Sequence, residues 1–446
     1  MATRGMLEHE LKLEAGPGFV FPDLPSEPRP ERTFESLYFD TTDARLRRAG
    51  MTLRRRLEQN KGVWQLKLPR KGARLELDVD GGEEPPLEIV RALGSVLGGG
   101  TLEQVASLRT RRTPFSVARN GIELAEVAID EVEILVDGAT QGSFSELEVE
   151  LREGAEKDLE KIAKRLRRAG ARNASQATKL DRALGAPAEP ATELGRAVAA
   201  QVRALFAHEV GLRLAPEHED VHQLRVAMRR LRAYLRTARP LLDESWSDPL
   251  RNELEELGRT LGEARDLDVL IEHFEAEVAR LDEPGDVGAR LVARLHTERE
   301  ALQPALLSSL GSERWHDLLD RLGQEPPLRE GPGLGSLAKA ERQRLRKRRV
   351  AADAPDEDLH DLRKHVKRAR YASELAGEDA VVDRAKEVQD VLGEHQDAVV
   401  AEQKLRALAD GESGLAAGRL VERERERRRR AREEYPRVWK RLQAVL

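Results

Sequence analysis

The sequence lacks cysteine, is poor in aromatic residues and has no long apolar run. Without cysteine it can form no disulfide, thiolate metal site or thiol nucleophile. Its aromatic content of 4% is too low for the stacking platforms that most single-strand nucleic-acid binders use. No apolar run approaches the roughly 18 residues that a membrane-spanning helix needs, and the N-terminus has no signal-peptide core. We therefore expect a cytoplasmic protein with no nucleic-acid partner and no membrane association.

Charge is abundant but nearly balanced. The 446 residues are enough for two or three domains, and 35% of them are charged. The 76 basic and 81 acidic side chains give a net charge of −5. Bulk electrostatics therefore gives no reason to expect a polyanionic partner, and any anion site must come from local clustering.

The two halves of the chain differ in periodicity. Up to about residue 185, alternation of apolar and polar residues predicts strands, and Asn120-Gly121 predicts a hairpin. The alternating runs are 7–14, 51–57, 63–68, 74–80, 122–130 and 144–151, with helical patterns at 86–97 and 156–169. From about residue 192 onward the pattern is helical throughout. The proline-containing stretch 187–192 therefore predicts a linker between a first domain at 1–186 and a second at 193–446.

Charged side chains recur on single faces of the predicted strands. Alternate side chains of a strand point to the same face, so Glu8, Glu10 and Lys12 lie together. Many antiparallel strands with few helices predict a barrel or a sandwich. A barrel with its apolar faces outward would enclose acids and bases, whereas an open sandwich would leave these faces in water. Alternation alone does not decide between them.

A charged interior would suit a polyphosphate anion with a divalent cation. Unpaired buried charges cost several kcal/mol each, so such an interior needs a ligand or water. Arginine and lysine bind phosphate oxygens, and carboxylates bind hard cations such as Mg²⁺ or Mn²⁺. The sequence has no GxxxxGK[ST] loop, so phosphate would have to be bound by side chains.

The motifs of the first half, in their order, resemble those of the CYTH, or triphosphate tunnel, superfamily. This superfamily includes class IV adenylyl cyclases, thiamine triphosphatases and inorganic triphosphatases. Glu8-x-Glu10-x-Lys12 is similar to its ExExK signature. The supporting matches are Tyr38-Phe39-Asp40-Thr41, Leu53-Arg54-x-Arg56, the strand around Lys67, Arg109-x-Arg111, Asp130, Glu146-x-Glu148-x-Glu150 and Thr178-Lys179. The last replaces the usual Ser-Lys and keeps the lysine.

The resemblance implies an α+β domain built on an antiparallel eight-stranded β-barrel with a metal-dependent phosphoryl-transfer site. The implied catalytic residues are Glu8, Glu10 and Lys12, with a glutamate of this strand orienting the attacking water. The implied phosphate-binding residues are Lys12, Arg54, Arg56, Lys67, Arg109, Arg111 and Lys179. The implied ligands of Mg²⁺ or Mn²⁺ are Glu8, Glu10, Asp130, Glu146, Glu148 and Glu150.

The helical half contains an internal repeat. His222-Gln223-Leu224-Arg225 and the basic residues that follow it reappear with the same offsets from His360-Asp361-Leu362-Arg363. Leu261-Gly262-Glu263 is likewise echoed by Leu392-Gly393-Glu394. Two diverged copies of one helical unit, at about 193–322 and 336–446, are the simplest account.

Each copy has a helix with a cationic stripe. At about 100° per residue, one stripe contains His222, Arg225, Arg229, Arg232 and Arg236, and the other contains His360, Arg363, Lys367 and Arg370. Like charges at these spacings repel, so an anion would stabilise them. A solvated face paired with acids of neighbouring helices is the alternative. A further basic cluster lies between Lys339 and Arg349.

The repeated histidine and basic helix resemble the CHAD domain, and Arg265-Asp266-x-Asp268 is similar to its RDxD motif. The resemblance implies an all-α domain of two pseudo-symmetric four-helix bundles whose two stripes bind inorganic polyphosphate. The two resemblances together imply metal-dependent hydrolysis of tripolyphosphate or short polyphosphate, binding of long-chain polyphosphate, and association with polyphosphate granules. A non-catalytic polyphosphate-binding or targeting protein is the alternative, and cyclase activity on ATP is disfavoured by the helical module.

Overall fold

A computed structural model of the protein describes residues 4–16, 19–59, 61–175, 177–216, 218–280, 285–408 and 414–446. The chain divides into two compact units. The first holds Met1–Glu189 and Phe206–Glu217, and the second holds Pro190–Leu205 and His218–Leu446. None of the described helices combines the length and apolar character that a bilayer crossing requires.

The first unit is built on an antiparallel sheet. Its strands are β1 (Arg4–Glu8), β2 (Glu10–Ala15), β3 (Ser26–Pro28), β4 (Arg32–Asp40), β5 (Thr52–Glu58), β6 (Lys61–Arg70), β7 (Ala73–Asp80), β8 (Glu103–Arg119), β9 (Ile122–Val136), β10 (Ala139–Leu151) and β11 (Ala171–Asn173). Its short helices are α1 (Arg45–Arg48), α2 (Leu87–Ala92), α3 (Gly94–Leu97), α4 (Glu156–Arg168) and α5 (Lys179–Leu184).

The hydrogen-bonded strands follow the order β1-β7-β6-β5-β4-β8-β9-β10-β2-β11, with β3 paired to β8. Among the described residues this path of ten strands is not closed, and the 11 strands of the whole sheet outnumber the predicted eight. The predicted strand at 7–14 is interrupted at His9 because its two parts have different partners. β1 pairs with β7, whereas β2 pairs with β10. The N-terminal segment thus contributes strands near both ends of the path.

Two tight turns align the longest strands. Asn120 and Gly121 have φ values of 54° and 80°, and Asp137 and Gly138 have φ values of 50° and 80°. Two successive residues with positive φ fit a type I′ hairpin, which Asn-Gly and Asp-Gly favour. The turns join β8 to β9 and β9 to β10, so three long strands lie side by side.

The apolar face of the sheet is covered in two places. Leu53, Leu66 and Leu77 pack with α1–α3 and with Ala207 and Val210. Another cluster joins Leu147 and Val149 of β10 to α4. The opposite face carries the ionisable residues of the same strands, and we refer to it as the charged face.

The second unit is helical. Its helices, the first of which is shared with the first unit, are α6 (Glu193–Leu214), α7 (His218–Thr237), α8 (Glu244–Val278), α9 (Gly285–Leu310), α10 (Glu313–Leu322), α11 (Leu334–Arg346), α12 (Asp356–Leu375), α13 (Asp379–Leu408) and α14 (Gly414–Gln443). An antiparallel sheet domain followed by a helical domain was predicted, and both are present. The repeat is visible in helix lengths, because α7 and α12 each have 20 residues and place His222 and His360 at the same position.

Candidate functional site

Lys179 lies at the centre of a buried group of carboxylates on the charged face. Its Nζ is 2.8 Å from Asp130 Oδ2, 2.6 Å from Glu146 Oε1 and 2.7 Å from Glu148 Oε1. The lysine occupies the first turn of α5, whose start is capped by the Thr178 hydroxyl accepting from Asp181 N at 3.0 Å. A threonine therefore provides the N-cap that a serine would provide.

Two further cations complete this group. Arg112 donates to both carboxylate oxygens of Asp130, at 2.8 and 2.7 Å, and also to Glu148. Lys12 Nζ lies 3.8 Å from Glu146 Oε1 and 3.6 Å from Glu148 Oε1. We call Lys12, Arg112, Asp130, Glu146, Glu148 and Lys179 the Lys179 cluster.

Charge pairing within the Lys179 cluster favours the ionised forms of Glu148 and Lys179 despite their burial. Burial opposes the charge of Glu148, but Lys179 and Arg112 hold the pKa of this carboxyl well below its usual value. Burial also opposes the charge of Lys179, but Glu148 and Asp130 raise its pKa above the ordinary value. Three carboxylates thus face three cations in a region shielded from solvent, where charge-assisted hydrogen bonds are strong.

The acids of this cluster could hold a divalent cation. Asp130, Glu146 and Glu148 each offer a carboxylate oxygen, and these oxygens all lie within 4.8 Å of one another. An all-oxygen donor set suits Mg²⁺ or Mn²⁺. The other predicted ligands lie apart from this triad in the structure. Glu8 pairs with Lys67, and Glu150 Oε1 accepts from Arg152 Nη1 at 2.7 Å.

A second group surrounds Lys67. Its Nζ lies 2.7 Å from Glu8 Oε2 and 3.0 Å from Glu76 Oε2. Burial and a hydrogen bond to Glu76 raise the pKa of Glu8 to about 8. Although burial opposes it, the bond from Glu8 and the charge of Lys67 lower the pKa of Glu76. Protonation is therefore favoured at Glu8 and the ionised form at Glu76.

Arg54, Arg56 and Glu10 also lie on the charged face. Arg54 Nε donates to Gln65 Oε1 at 2.8 Å. The Arg56 guanidinium lies 3.8 Å above the Phe34 ring, and burial together with Arg54 lowers its pKa to about 10. Glu10 Oε1 lies 3.8 Å from Lys12 Nζ and 3.9 Å from Arg74 Nε.

Arg109 and Arg111 were expected beside these residues, and the structure corrects their placement. Both side chains are about half exposed on the other face of β8 and pair with Glu133 and Glu131. The reason is a β-bulge. Arg119 pairs with Ile122 and Ala118 with Glu123, but Val117 pairs with Ala125, so the register shifts by one residue. An uninterrupted hairpin would set Arg111 opposite Asp130, whereas the bulge sets Arg112 there.

The helical unit brings its two cationic stripes together. α7 packs against α12, and Arg229 Nε donates to the Tyr371 hydroxyl at 2.9 Å. Lys367 has a pKa lowered to about 7, by burial first and then by Arg363, Arg229 and Arg225. We call Arg225, Arg229, Arg363, Lys367 and Arg370 the cationic pocket. Among the described residues, Arg363 Nε and Arg370 Nε are buried without hydrogen-bond partners.

The repeated glycines lie against arginines of this pocket, at an ordinary contact distance for Gly262 and more tightly for Gly393. A Cβ at Gly393 would lie 3.3 Å from Arg363 Nη2, and one at Gly262 would lie 3.8 Å from Arg225 Nε. Four residues beyond each glycine stands an aspartate. Asp266 pairs with Arg225 at 2.6 Å, and Asp397 lies close enough to Arg363 to affect its pKa. In each copy, the guanidinium of Arg225 or Arg363 therefore contacts the neighbouring helix at its Leu-Gly-Glu sequence.

The remaining predicted residues lie around the pocket. Burial, then nearby cations, lowers the pKa of His222 and of His360. The ring Nδ1 of His360 is buried and has no hydrogen-bond partner within the described part of the chain. Arg232 pairs with Glu255 at 2.8 Å, and Arg236 is exposed.

Sequence reasoning missed Arg112, Glu76 and Tyr371 as site residues. Glu76 shared the alternation of its strand and could have been chosen by its position beside Lys67. The position of Arg112 opposite Asp130 depends on the bulge, and no clear signal in the sequence predicts that bulge. The contact of Tyr371 with Arg229 depends on the packing of α7 against α12. The two residues are 142 positions apart in the sequence.

Comparisons with known proteins cover both units. The CYTH domain matches residues 6–183, and the CHAD domain matches residues 196–406. An uncharacterized protein of Mycobacterium tuberculosis is 31% identical over 92% of this chain and 89% of its own length. PptA from Streptomyces chartreusis is 24% identical, with a TM-score of 0.47, over 57% of this chain and 100% of that one. The CHAD domain from the plant Ricinus communis is 23% identical, with a TM-score of 0.46, over 57% of this chain and 93% of that one. Because both TM-scores are below 0.5, the family assignment rests on the sequence matches.

Proposed function

The chain belongs to the proteins in which a CYTH domain is followed by a CHAD domain, and on this premise we propose that it is a metal-dependent inorganic triphosphatase whose helical domain binds polyphosphate. The observation that carries the proposal is the Lys179 cluster. Three cations and three carboxylates converge there, so the cations could bind triphosphate oxygens while the carboxylates hold a divalent cation.

In this proposal the sheet wraps into a tunnel with the charged face inside. Two observations support it. Only His9 separates β1 from β2, although these strands pair with β7 and β10, near opposite ends of the path. In addition, Arg74 of β7 lies 3.9 Å from Glu10 of β2. A tunnel also explains why one face carries so many ionisable residues. Inside it, these side chains can pair with one another and with a polar ligand.

Side chains of the charged face would bind the substrate, stabilise the transition state and orient the attacking water. Lys12, Arg54, Lys67, Arg112 and Lys179 would bind the phosphate oxygens and stabilise the negative charge of the transferring phosphoryl group. Glu10 is better suited than Glu8 to orient a water molecule, because burial and the hydrogen bond to Glu76 favour the protonated form of Glu8. Mg²⁺ or Mn²⁺, held by Asp130, Glu146 and Glu148, would neutralise phosphate charge and position the water.

Phosphate release from tripolyphosphate tests the catalytic part. With Mg²⁺ or Mn²⁺ the protein should release phosphate, and Glu148→Gln should reduce the rate by at least about tenfold because it removes a charged partner of Lys179 and Arg112. Glu131→Gln is the matched control, since Glu131 lies exposed on the other face and pairs with Arg111. Equal rates for the two variants would contradict the assignment of the site.

A non-catalytic polyphosphate-binding protein is the second candidate. Lys179 already contacts all three acids of the triad, and this pairing would also suit an anion receptor. Binding of tripolyphosphate without phosphate release, with either metal, would favour this candidate. An assay for cyclic AMP with ATP as substrate tests the cyclase alternative in the same preparation.

The cationic pocket supports polyphosphate binding by the helical domain, which we propose to consist of two four-helix bundles. Two buried guanidinium nitrogens without partners among the described residues, at Arg363 and Arg370, and the lowered pKa of Lys367 indicate that positive charge exceeds negative charge here. Reversing Arg225 and Arg229 to glutamate should abolish binding of long-chain polyphosphate. Reversing the exposed, ion-paired Arg429 and Arg437 should change it little. Loss in both double variants, or in neither, would contradict a specific pocket. A cytoplasmic location at polyphosphate granules would follow from such binding.

A further inference from the structure

A row of cations without acidic partners lies outside the cationic pocket. Arg346, Lys347 and Arg348 end α11 and begin the loop toward α12, and all three side chains are exposed. Within the described part of the chain, none of the three forms an ion pair. We call them the outer row.

This lack of partners is unusual on a helical surface where most arginines are paired. On α14, for example, the exposed Arg429, Arg430 and Arg437 contact Glu426 or Glu434. Adjacent like charges without acids repel one another, so the outer row costs stability until an anion meets it.

Three acids, in α11, in α12 and directly before α13, pair with cations that do not belong to the outer row. Glu341 accepts from Arg344, Asp361 pairs with Lys364, and Glu378 pairs with Arg342. Each has its own cation within contact distance. None of these three carboxylates therefore forms an ion pair with the outer row.

Cations connect the outer row to the cationic pocket. After burial, Arg348 and Arg368 are the strongest influences lowering the pKa of His365, while Asp361 and Glu341 oppose them. Arg368 also lies close enough to Arg236 to disfavour its charge, with Arg232 and Arg251 adding to this effect and Glu341 opposing it. Arg232 and Arg236 continue the α7 stripe that begins with Arg225 and Arg229. Positive charge therefore extends from the pocket across α7 and α12 to the outer row.

We propose that the outer row is a second contact for a linear polyphosphate chain held in the cationic pocket, so that the helical domain favours chains long enough to reach both. The inference rests on the proposed function of the pocket and adds a site and a preference for chain length. A short anion would fill the pocket and leave the outer row unneutralised. A long chain would neutralise both.

The test compares two triple variants of the full-length protein. Arg346→Gln, Lys347→Gln and Arg348→Gln together remove the outer row, and Arg429→Gln, Arg430→Gln and Arg437→Gln remove the same charge from α14. Affinity for surface-immobilised long-chain polyphosphate is measured over a range of salt concentrations, and circular dichroism checks the helix content of both variants.

We expect the outer-row variant to lose about tenfold or more in affinity and to show a shallower dependence on salt, because fewer counter-ions are released on binding. The α14 variant should lose about twofold at most. In competition, the advantage of long over short polyphosphate should shrink only in the outer-row variant.

Three outcomes would overturn the inference. Equal losses in the two triple variants would show a general charge effect, and an unchanged salt dependence would show that the outer row is not contacted. Displacement of polyphosphate by single-stranded RNA of matched charge at equal concentration would show that the wrong class of polyanion was assigned. By contrast, failure of the unsubstituted protein to bind any polyphosphate would refute the proposed function itself.

Discussion

Arg112 holds the Lys179 cluster together, because it links Asp130 to Glu148 in a region closed to solvent. Arg112→Gln should lower the rate of tripolyphosphate hydrolysis by about tenfold to a hundredfold, the effect of losing a hydrogen bond between charged groups. Arg111→Gln is the matched control on the exposed face of the same strand and should change the rate by less than about twofold. Steady-state assays of both variants check this. A larger loss in the Arg111 variant would show that the outer face of β8 carries the site.

Lys367 should make the helical domain sensitive to pH. Its folded-state pKa is about 7 against an ordinary value of 10.5, because burial and neighbouring arginines disfavour its charge. Between these values the unfolded chain binds a proton that the folded chain does not, so stability should rise as pH increases across this window. Denaturant midpoints at several pH values, compared between the native protein and Lys367→Met, measure the effect. The variant should lose this part of the pH dependence.

The same lysine should couple polyphosphate binding to proton uptake. A bound anion favours the charged form, so affinity should fall as pH rises above about 7. Lys367→Arg, which keeps a permanent charge, should bind with a weaker pH dependence. Calorimetry in buffers of different ionisation enthalpy measures the protons taken up. No uptake by the native protein would show that Lys367 is already charged in the empty pocket.

At the scale of elements, the start of α5 sets the position of Lys179. Thr178→Ala removes the N-cap and should destabilise the protein by about 1 kcal/mol. It should also reduce hydrolysis, because the first turn carries the lysine that contacts all three acids. Thr178→Ser keeps the hydroxyl and should retain both properties. Thermal unfolding and phosphate release are the measurements, and equal behaviour of the two variants would rule out a role for the cap.

A shift in strand register limits what alternation along the sequence can predict about which face a side chain occupies. Alternation on β5, β6, β7 and β10 correctly separated apolar from charged faces, because side chains of an uninterrupted strand alternate strictly. It failed for Arg109 and Arg111, because the extra residue of β9 at the bulge changes which arginine opposes Asp130. The placement of Lys179 on a helix was also not evident from the Thr178-Lys179 motif.

At the scale of the whole molecule, the first unit extends beyond the expected boundary at residue 186. Ala207 and Val210 of α6 are buried against its apolar core, and Ser95 Oγ donates to Glu209 Oε2 at 2.8 Å. A fragment ending at Glu189 would expose this surface, and burial of one valine contributes about 1.5–3 kcal/mol. A fragment extended to residue 217 should therefore melt at a higher temperature. Calorimetry of the two fragments checks this, and equal melting temperatures would contradict it.

The sequence by itself determined the family, the succession of a sheet domain and a helical domain, and the repeat within the helical half. Motif order, strand alternation and helical periodicity are local properties, so they can be read along the chain. Tertiary structure decided which residues meet. Arg112 reaches Asp130 because of a bulge, and Arg229 reaches Tyr371 because α7 packs against α12. The two cationic stripes form one pocket for the same reason, since the energy of assembled charges depends on distances in space and not on spacing in the sequence.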